Sequence, residues 1–129
     1  MRKIVLLTAC AALIGAAPAL AADLGAEITT AHTHAMLAAN ASGIGGVHTH
    51  LHHVLNCLVG PQGNGFDAKE LNPCAQSGAG AIPDSASNPA AQKALKAAAV
   101  TARAGIAETD IASAKADATK AAKQIMAAK

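Results

Sequence analysis

The sequence predicts an all-α fold: an antiparallel four-helix bundle made of two helical hairpins joined by a long disulfide-pinned loop. The first observation is that apolar residues recur at spacings of three and four over four separate stretches. The second is that alanine is abundant, whereas Trp and Tyr are absent and Phe66 is the only Phe. A β-sandwich would need alternating β-branched and aromatic residues, which this chain does not offer.

The N-terminal residues 1–21 have the three-part form of a Sec export signal. Arg2 and Lys3 supply the positive end, an uncharged apolar run follows over 4–17, and residues 19–21 read Ala-Leu-Ala before the expected cleavage. The run is shorter than the roughly 20 apolar residues of a membrane-spanning helix. We therefore expect cleavage after Ala21, export to a periplasm, and no membrane attachment of the mature chain 22–129.

The charge balance argues against a nucleic-acid partner. Without Arg2 and Lys3, the Lys+Arg count falls from 10 to 8, which equals the Asp+Glu count. The mature chain then carries no net formal charge apart from its histidines, so nothing in it is typical of a polyanion-binding protein. Its length suits one small domain.

The first hairpin is predicted from two helices, at about 24–40 and 44–59, with a short turn at 41–43. Gly60 and Pro61 end the second helix. The apolar faces comprise Leu24, Ile28, Ala31, Ala35 and Ala38 in the first helix and Ile44, Val47, Leu51, Val54 and Leu58 in the second.

Residues 60–88 are predicted to form a loop. Glycine, proline, asparagine and serine interrupt this segment, and no helical period survives in it. Cys10 leaves with the signal, so Cys57 and Cys74 remain as a pair that we expect to form a disulfide in an oxidising compartment. Such a bridge would stabilise the fold by about 3 kcal/mol.

The second hairpin is predicted from helices at about 89–105 and 109–128. Asn88 is a cap residue followed by Pro89 at the first helical position, and Gly105 is expected to end this helix. Thr109 is expected to cap the last helix, with Asp110 at its positive end. The apolar faces comprise Leu95, Ala99, Ala102 and Ile106, and then Ile111, Ala114, Ala118, Ala121 and Ile125.

The histidines are concentrated in the first hairpin. The stretch VHTHLHHVLNC, residues 47–57, contains four of the six histidines of the chain. At 100° per residue, His48 and His52 lie on one flank of this helix, and His50 and His53 lie on the opposite flank. A turn at 41–43 brings residues whose numbers sum to roughly 85 side by side, so His32 and His34 of the first helix reach the same level.

Converging imidazoles are typical of a transition-metal site. Two histidines separated by three or four positions on a helix offer neutral nitrogens with a spacing that suits Zn, Cu or Ni, and a third ligand from a facing helix completes a site. A single histidine on a helix is more often only solvated or hydrogen-bonded. The candidate ligands are His32, His34, His48, His50, His52 and His53.

Two further residues have alternative interpretations. Cys57 is expected in the disulfide rather than as a soft metal ligand, and Met36 is expected in the core rather than as a copper ligand. The chain contains no CxxCH, GxSxG, HExxH or phosphate-binding glycine loop, and no recognisable acid/base pair of carboxylates. We therefore expect a binding protein and not an enzyme.

The chain resembles the small histidine-rich periplasmic metal-binding proteins (SmbP-like). The resemblance rests on EITTAHTHAMLAAN (27–40), VHTHLHHVLN (47–56) and the alanine-rich 94–125. It implies a four-helix bundle that buffers divalent and copper ions. The family's histidines are spread along the whole bundle, whereas here residues 54–129 contain none, so one or two sites on the first hairpin are expected.

The predicted function is sequestration or buffering of Cu, Ni or Zn ions by this histidine cluster in the periplasm. One alternative is a non-covalent haem binder, with facing histidines or Met36 as axial ligands. Another is a structural or partner-binding envelope protein that uses Phe66 and the 60–88 loop as its contact surface. The sequence identifies no protein partner.

Overall fold

The computed structural model describes residues 21–129 and is helical. These residues form five helices and no strands: α1 Leu24–Asn40, α2 Ile44–Val59, α3 Ala81–Asp84, α4 Pro89–Ala107 and α5 Ile111–Met126. The all-α class is therefore confirmed. The expected export signal, 1–21, lies outside the described residues except for Ala21.

Each long helix packs against at least two others. Neighbours in sequence are also neighbours in space, because α1 contacts α2 and α4 contacts α5. Contacts of α1 with α5 and of α2 with α4 join the two pairs. These contacts are compatible with the four-helix bundle that the sequence predicts.

The core lies along the apolar faces of the four long helices. Its largest fully buried side chains include Leu51, Leu58, Leu95 and Ile125, and alanines fill the space between them. Small side chains allow helix axes to lie close together, but each buries little apolar area. The core positions predicted from the spacing are buried, except that the residues nearest the helix ends, Leu24, Ile44, Ile106 and Ile111, are half-buried.

The helix ends differ from the predictions at two places. Gly105 does not end α4, which continues to Ala107. A Cβ at Gly105 would lie 2.6 Å from Leu51 Cδ1 of α2. The glycine therefore permits close packing of the two helices. The expected cap at Thr109 is also wrong, since Asp110 is the cap and accepts a 2.8 Å hydrogen bond from the Ser113 N–H. The Asn88 cap is confirmed by its bond from the Ala91 N–H.

The segment between α2 and α4 is held at both ends. The predicted Cys57–Cys74 disulfide is present. Further along, Gly60 and Gly80 have positive φ angles of 67° and 121°, and a Cβ on Gly60 would collide with the Ala79 carbonyl. Only glycine tolerates this backbone conformation and close approach readily. The loop prediction missed α3, a four-residue helix too short to show a period.

Candidate metal centre

Three histidines from two helices meet beside the core. His34 of α1 faces His50 and His53 of α2, and one ring nitrogen from each lies within 4.8 Å of the other two. The Nδ1 atoms of His34 and His50 are 3.2 Å apart, and those of His34 and His53 are 3.3 Å apart. The Nδ1 atoms of His50 and His53 therefore both face the Nδ1 atom of His34.

The positions of these rings follow from which neighbouring residues of α1 and α2 are buried in the core. On α2, Leu51 and Val54 are fully buried, so His50 and His53 project at the edge of the core on one flank of the helix. On α1, Ala35 and Ala38 are fully buried and have small side chains, which keeps α1 close to α2. His34 consequently reaches both histidines across the helix pair.

Hydrogen bonding alone does not satisfy this arrangement. A neutral imidazole nitrogen offers either one N–H or one lone pair. The Nδ1 of His34 nevertheless has two Nδ1 partners, so one proton or one lone pair would have to serve both. A metal ion would remove the conflict, because it would accept one lone pair from each ring.

The spacing of the nitrogens also fits a metal ion. Zn–N bonds of about 2.0–2.1 Å in tetrahedral geometry separate neighbouring ligand nitrogens by about 3.3 Å. The two measured separations, 3.2 and 3.3 Å, agree with this value. Three imidazoles would leave a fourth position for water or another ligand.

The electrostatic environment favours the neutral form of two of these rings, His34 and His53. Burial lowers the pKa of His34 from its ordinary 6.5, and the charges of His53 and His50 lower it further. Burial also lowers the pKa of His53, helped by His50 and opposed by the nearby Glu70. Two of the three rings therefore carry a free lone pair at pH 7, the form that binds metals.

The other predicted ligands lie outside this group of three. His48 bonds through Nε2 to the Glu108 carbonyl, at 2.9 Å. The Nδ1 of His52 lies 3.6 Å from an Asp67 carboxylate oxygen. His32 is half-buried on α1, and Met36 is exposed rather than in the core.

A segment of the disulfide loop lies against the histidines, and Asn56 of α2 holds it there. The fully buried Asn56 side chain accepts a 2.8 Å hydrogen bond from the Asp67 N–H and donates to the carbonyls of Asp67, Glu70 and Leu71. Glu70 Oε2 thereby lies 3.7 Å from His53 Nε2. Sequence reasoning missed Asn56, Asp67 and Glu70, although the expected disulfide indicated that this segment folds back on α2.

Two neighbouring carboxyl groups fasten the far end of the loop to α1, and of these Glu27 is buried and Asp84 half-buried. Glu27 is fully buried, and its Oε1 accepts a 3.0 Å hydrogen bond from the Gly80 N–H. Burial, and then the charge of Asp84, raises the pKa of Glu27 to about 7. Asp84 in turn accepts a 2.8 Å bond from the Ala79 N–H. Nothing in the sequence pattern indicated this pair.

A groove lies between α4, α3 and the start of the loop. Its volume is about 610 Å³. The lining is mostly apolar, contains Lys96 and Arg103, and has no histidine, cysteine or carboxylate. The groove is therefore separate from the three clustered histidines.

No family model matches the chain, and no curated protein or solved structure matches it either. The resemblance to the small histidine-rich periplasmic metal-binding proteins stays a prediction. Among the helices of residues 21–129, none has both the length and the apolar character needed to cross a membrane.

Proposed function

We propose that this protein is an exported metal-binding protein that sequesters or buffers divalent or copper ions. The ligands are His34, His50 and His53, and the metal is Cu(II), Ni(II) or Zn(II). The observation that carries the proposal is the approach of the His50 and His53 Nδ1 atoms to His34 Nδ1, at 3.2 and 3.3 Å, within a group of three histidines whose ligand atoms lie within 4.8 Å of one another. Imidazole nitrogens are ligands common to all three metals, so the donor set alone does not select one.

The scaffold and location of this function are proposed on separate grounds. The helix contacts support an antiparallel bundle of two hairpins, in which α1 and α2 carry the site. The N-terminal pattern and the disulfide support export to an oxidising periplasm. We propose binding and not catalysis, and the metal ion is the only partner that the site indicates.

The same geometry disfavours the haem alternative. Axial ligation by two histidines requires the haem plane to lie between their rings. Nitrogens only 3.2 Å apart leave room for one ion and not for a macrocycle. Met36 is two residues from His34 and exposed.

Isothermal calorimetry with two matched triple variants tests the proposal. We expect H34A/H50A/H53A to abolish tight binding of Zn(II), Cu(II) and Ni(II). The control H32A/H48A/H52A removes the same number of imidazoles from the same two helices and should keep wild-type affinity. Far-UV circular dichroism would verify that both variants remain helical. Equal affinities of the two variants would refute the assignment of these ligands.

A further inference from the structure

Two carboxylates of the disulfide loop face two neighbouring histidines of α2. Asp67 approaches His52, and Glu70 approaches His53, with nitrogen–oxygen distances of 3.6 and 3.7 Å. Only His53 belongs to the group of three converging rings. The two pairs are therefore alike in chemistry and distance but differ in their relation to the metal centre.

Glu70 approaches Nε2 of His53, which is the ring nitrogen that does not face His34. His53 directs Nδ1 at His34 and Nε2 at Glu70. A neutral imidazole with its proton on Nε2 has its lone pair on Nδ1. A carboxylate near Nε2 favours that tautomer electrostatically, because its negative charge attracts the N–H dipole.

The position of Glu70 is built into the fold. The Glu70 carbonyl accepts a hydrogen bond from the side chain of Asn56, and Asn56 lies one helical turn after His53 on α2. The Cys57–Cys74 bridge closes the same segment onto α2. The side chain of Glu70 is 33% exposed and that of His53 is 11% exposed, so the carboxylate reaches the ring from the edge of the protein.

We propose that Glu70 is a positioning residue of the metal centre, which orients the His53 ring and holds the tautomer that presents Nδ1 to the ion. The inference rests on the proposed function. Carboxylates behind metal-bound histidines raise ligand basicity and fix ring orientation, and their loss costs about 10–100-fold in metal affinity. The disulfide loop is then part of the metal site although it supplies no ligand.

The test compares Glu70→Ala, Glu70→Gln and Asp67→Asn with the wild type. Zn(II) affinity is measured by calorimetry on the oxidised full-length mature protein. We expect a loss of about 10–100-fold for Glu70→Ala and a smaller loss for Glu70→Gln, which keeps an acceptor oxygen. Asp67→Asn retains an acceptor for the Lys69 N–H and should bind as the wild type does.

Nitrogen-15 NMR of the imidazoles in the metal-free protein supplies a second measurement, the tautomer of His53. This tautomer would not change if Glu70 only stabilised the loop. We expect the Nε2–H tautomer of His53 in the wild type and a mixture of tautomers in Glu70→Ala. Wild-type affinity and an unchanged tautomer in Glu70→Ala would overturn the role of Glu70 while leaving the proposed function intact. An equal loss in Asp67→Asn would also overturn it, because the effect would then be a general one of loop charge. A wild type that binds no metal would refute the proposed function itself.

Discussion

Replacement of Glu27 by glutamine should stabilise the protein at high pH but not at low pH. The Glu27 carboxyl is fully buried next to Asp84, and its pKa is raised from 4.5 to about 7. The folded state thus favours the protonated carboxyl. The stability that this provides is fully present below pH 4.5, and it is lost as the pH rises through about 7.

The size of the effect follows from the shift. A pKa difference from 4.5 to about 7 corresponds to roughly 3 kcal/mol of unfolding free energy, at about 1.4 kcal/mol per unit. Glutamine is neutral at every pH. Its Oε1 can accept from the Gly80 N–H as glutamate does, and its amide can donate to Asp84. We expect the unfolding free energy of Glu27→Gln to exceed that of the wild type by up to about 3 kcal/mol at pH 8. Near pH 4.5 the two unfolding free energies should be equal.

Urea denaturation followed by circular dichroism measures this difference, with the disulfide intact. Comparing variant with wild type at each pH cancels the titration of the groups that do not interact with Glu27. Glu108→Gln is the matched control, because it removes one carboxylate outside the Glu27–Asp84 pair. A Glu27→Gln protein no more stable than the wild type at pH 8 would refute the reasoning.

Three further outcomes are expected. Asn56→Ala should lower the free energy of unfolding by about 2–3 kcal/mol, since the buried groups of the loop lose their partners, and thermal or urea unfolding would show it. Gly105→Ala should lower the free energy of unfolding by about 1–2 kcal/mol because its Cβ meets Leu51. A Cβ at Gly45 has no atom within 4 Å, so Gly45→Ala should raise the free energy of unfolding by up to about 1 kcal/mol. A destabilised Gly45→Ala would contradict this. Metal affinity should fall only below pH 6.5, since the pKa values of His34 and His53 are lowered from 6.5, and calorimetry at pH 5.5, 7 and 8 checks this.

The sequence was most informative where a local rule decides the structure. Apolar spacings of three and four identified the buried faces, such as Val47, Leu51 and Leu58 on α2. Cysteine counting identified the disulfide. Two predicted helix ends were wrong. The glycine at position 105 serves packing against α2 and does not end its helix, and Asp110 rather than its neighbour Thr109 caps the last helix.

The residues of the candidate metal centre could be predicted from the sequence only in part. Helical spacing placed His50 and His53 on one flank, which the structure confirms. The choice of His34 over His32 depends on the rotation of α1 about its axis, and that rotation is set by the packing of buried alanines. The approach of Glu70 depends on the path of an irregular loop, which the Asn56 hydrogen bonds determine.

The most direct test of the metal centre is nitrogen-15 NMR of the six imidazoles during addition of Zn(II). Coordination changes the shift of the ligating nitrogen, so the spectrum reports which rings and which atoms bind. The account predicts that the Nδ1 signals of His34, His50 and His53 change together at one equivalent of metal, while the other three histidines keep theirs. Coordination through Nε2, or by His32, His48 or His52 in place of these three, would contradict it.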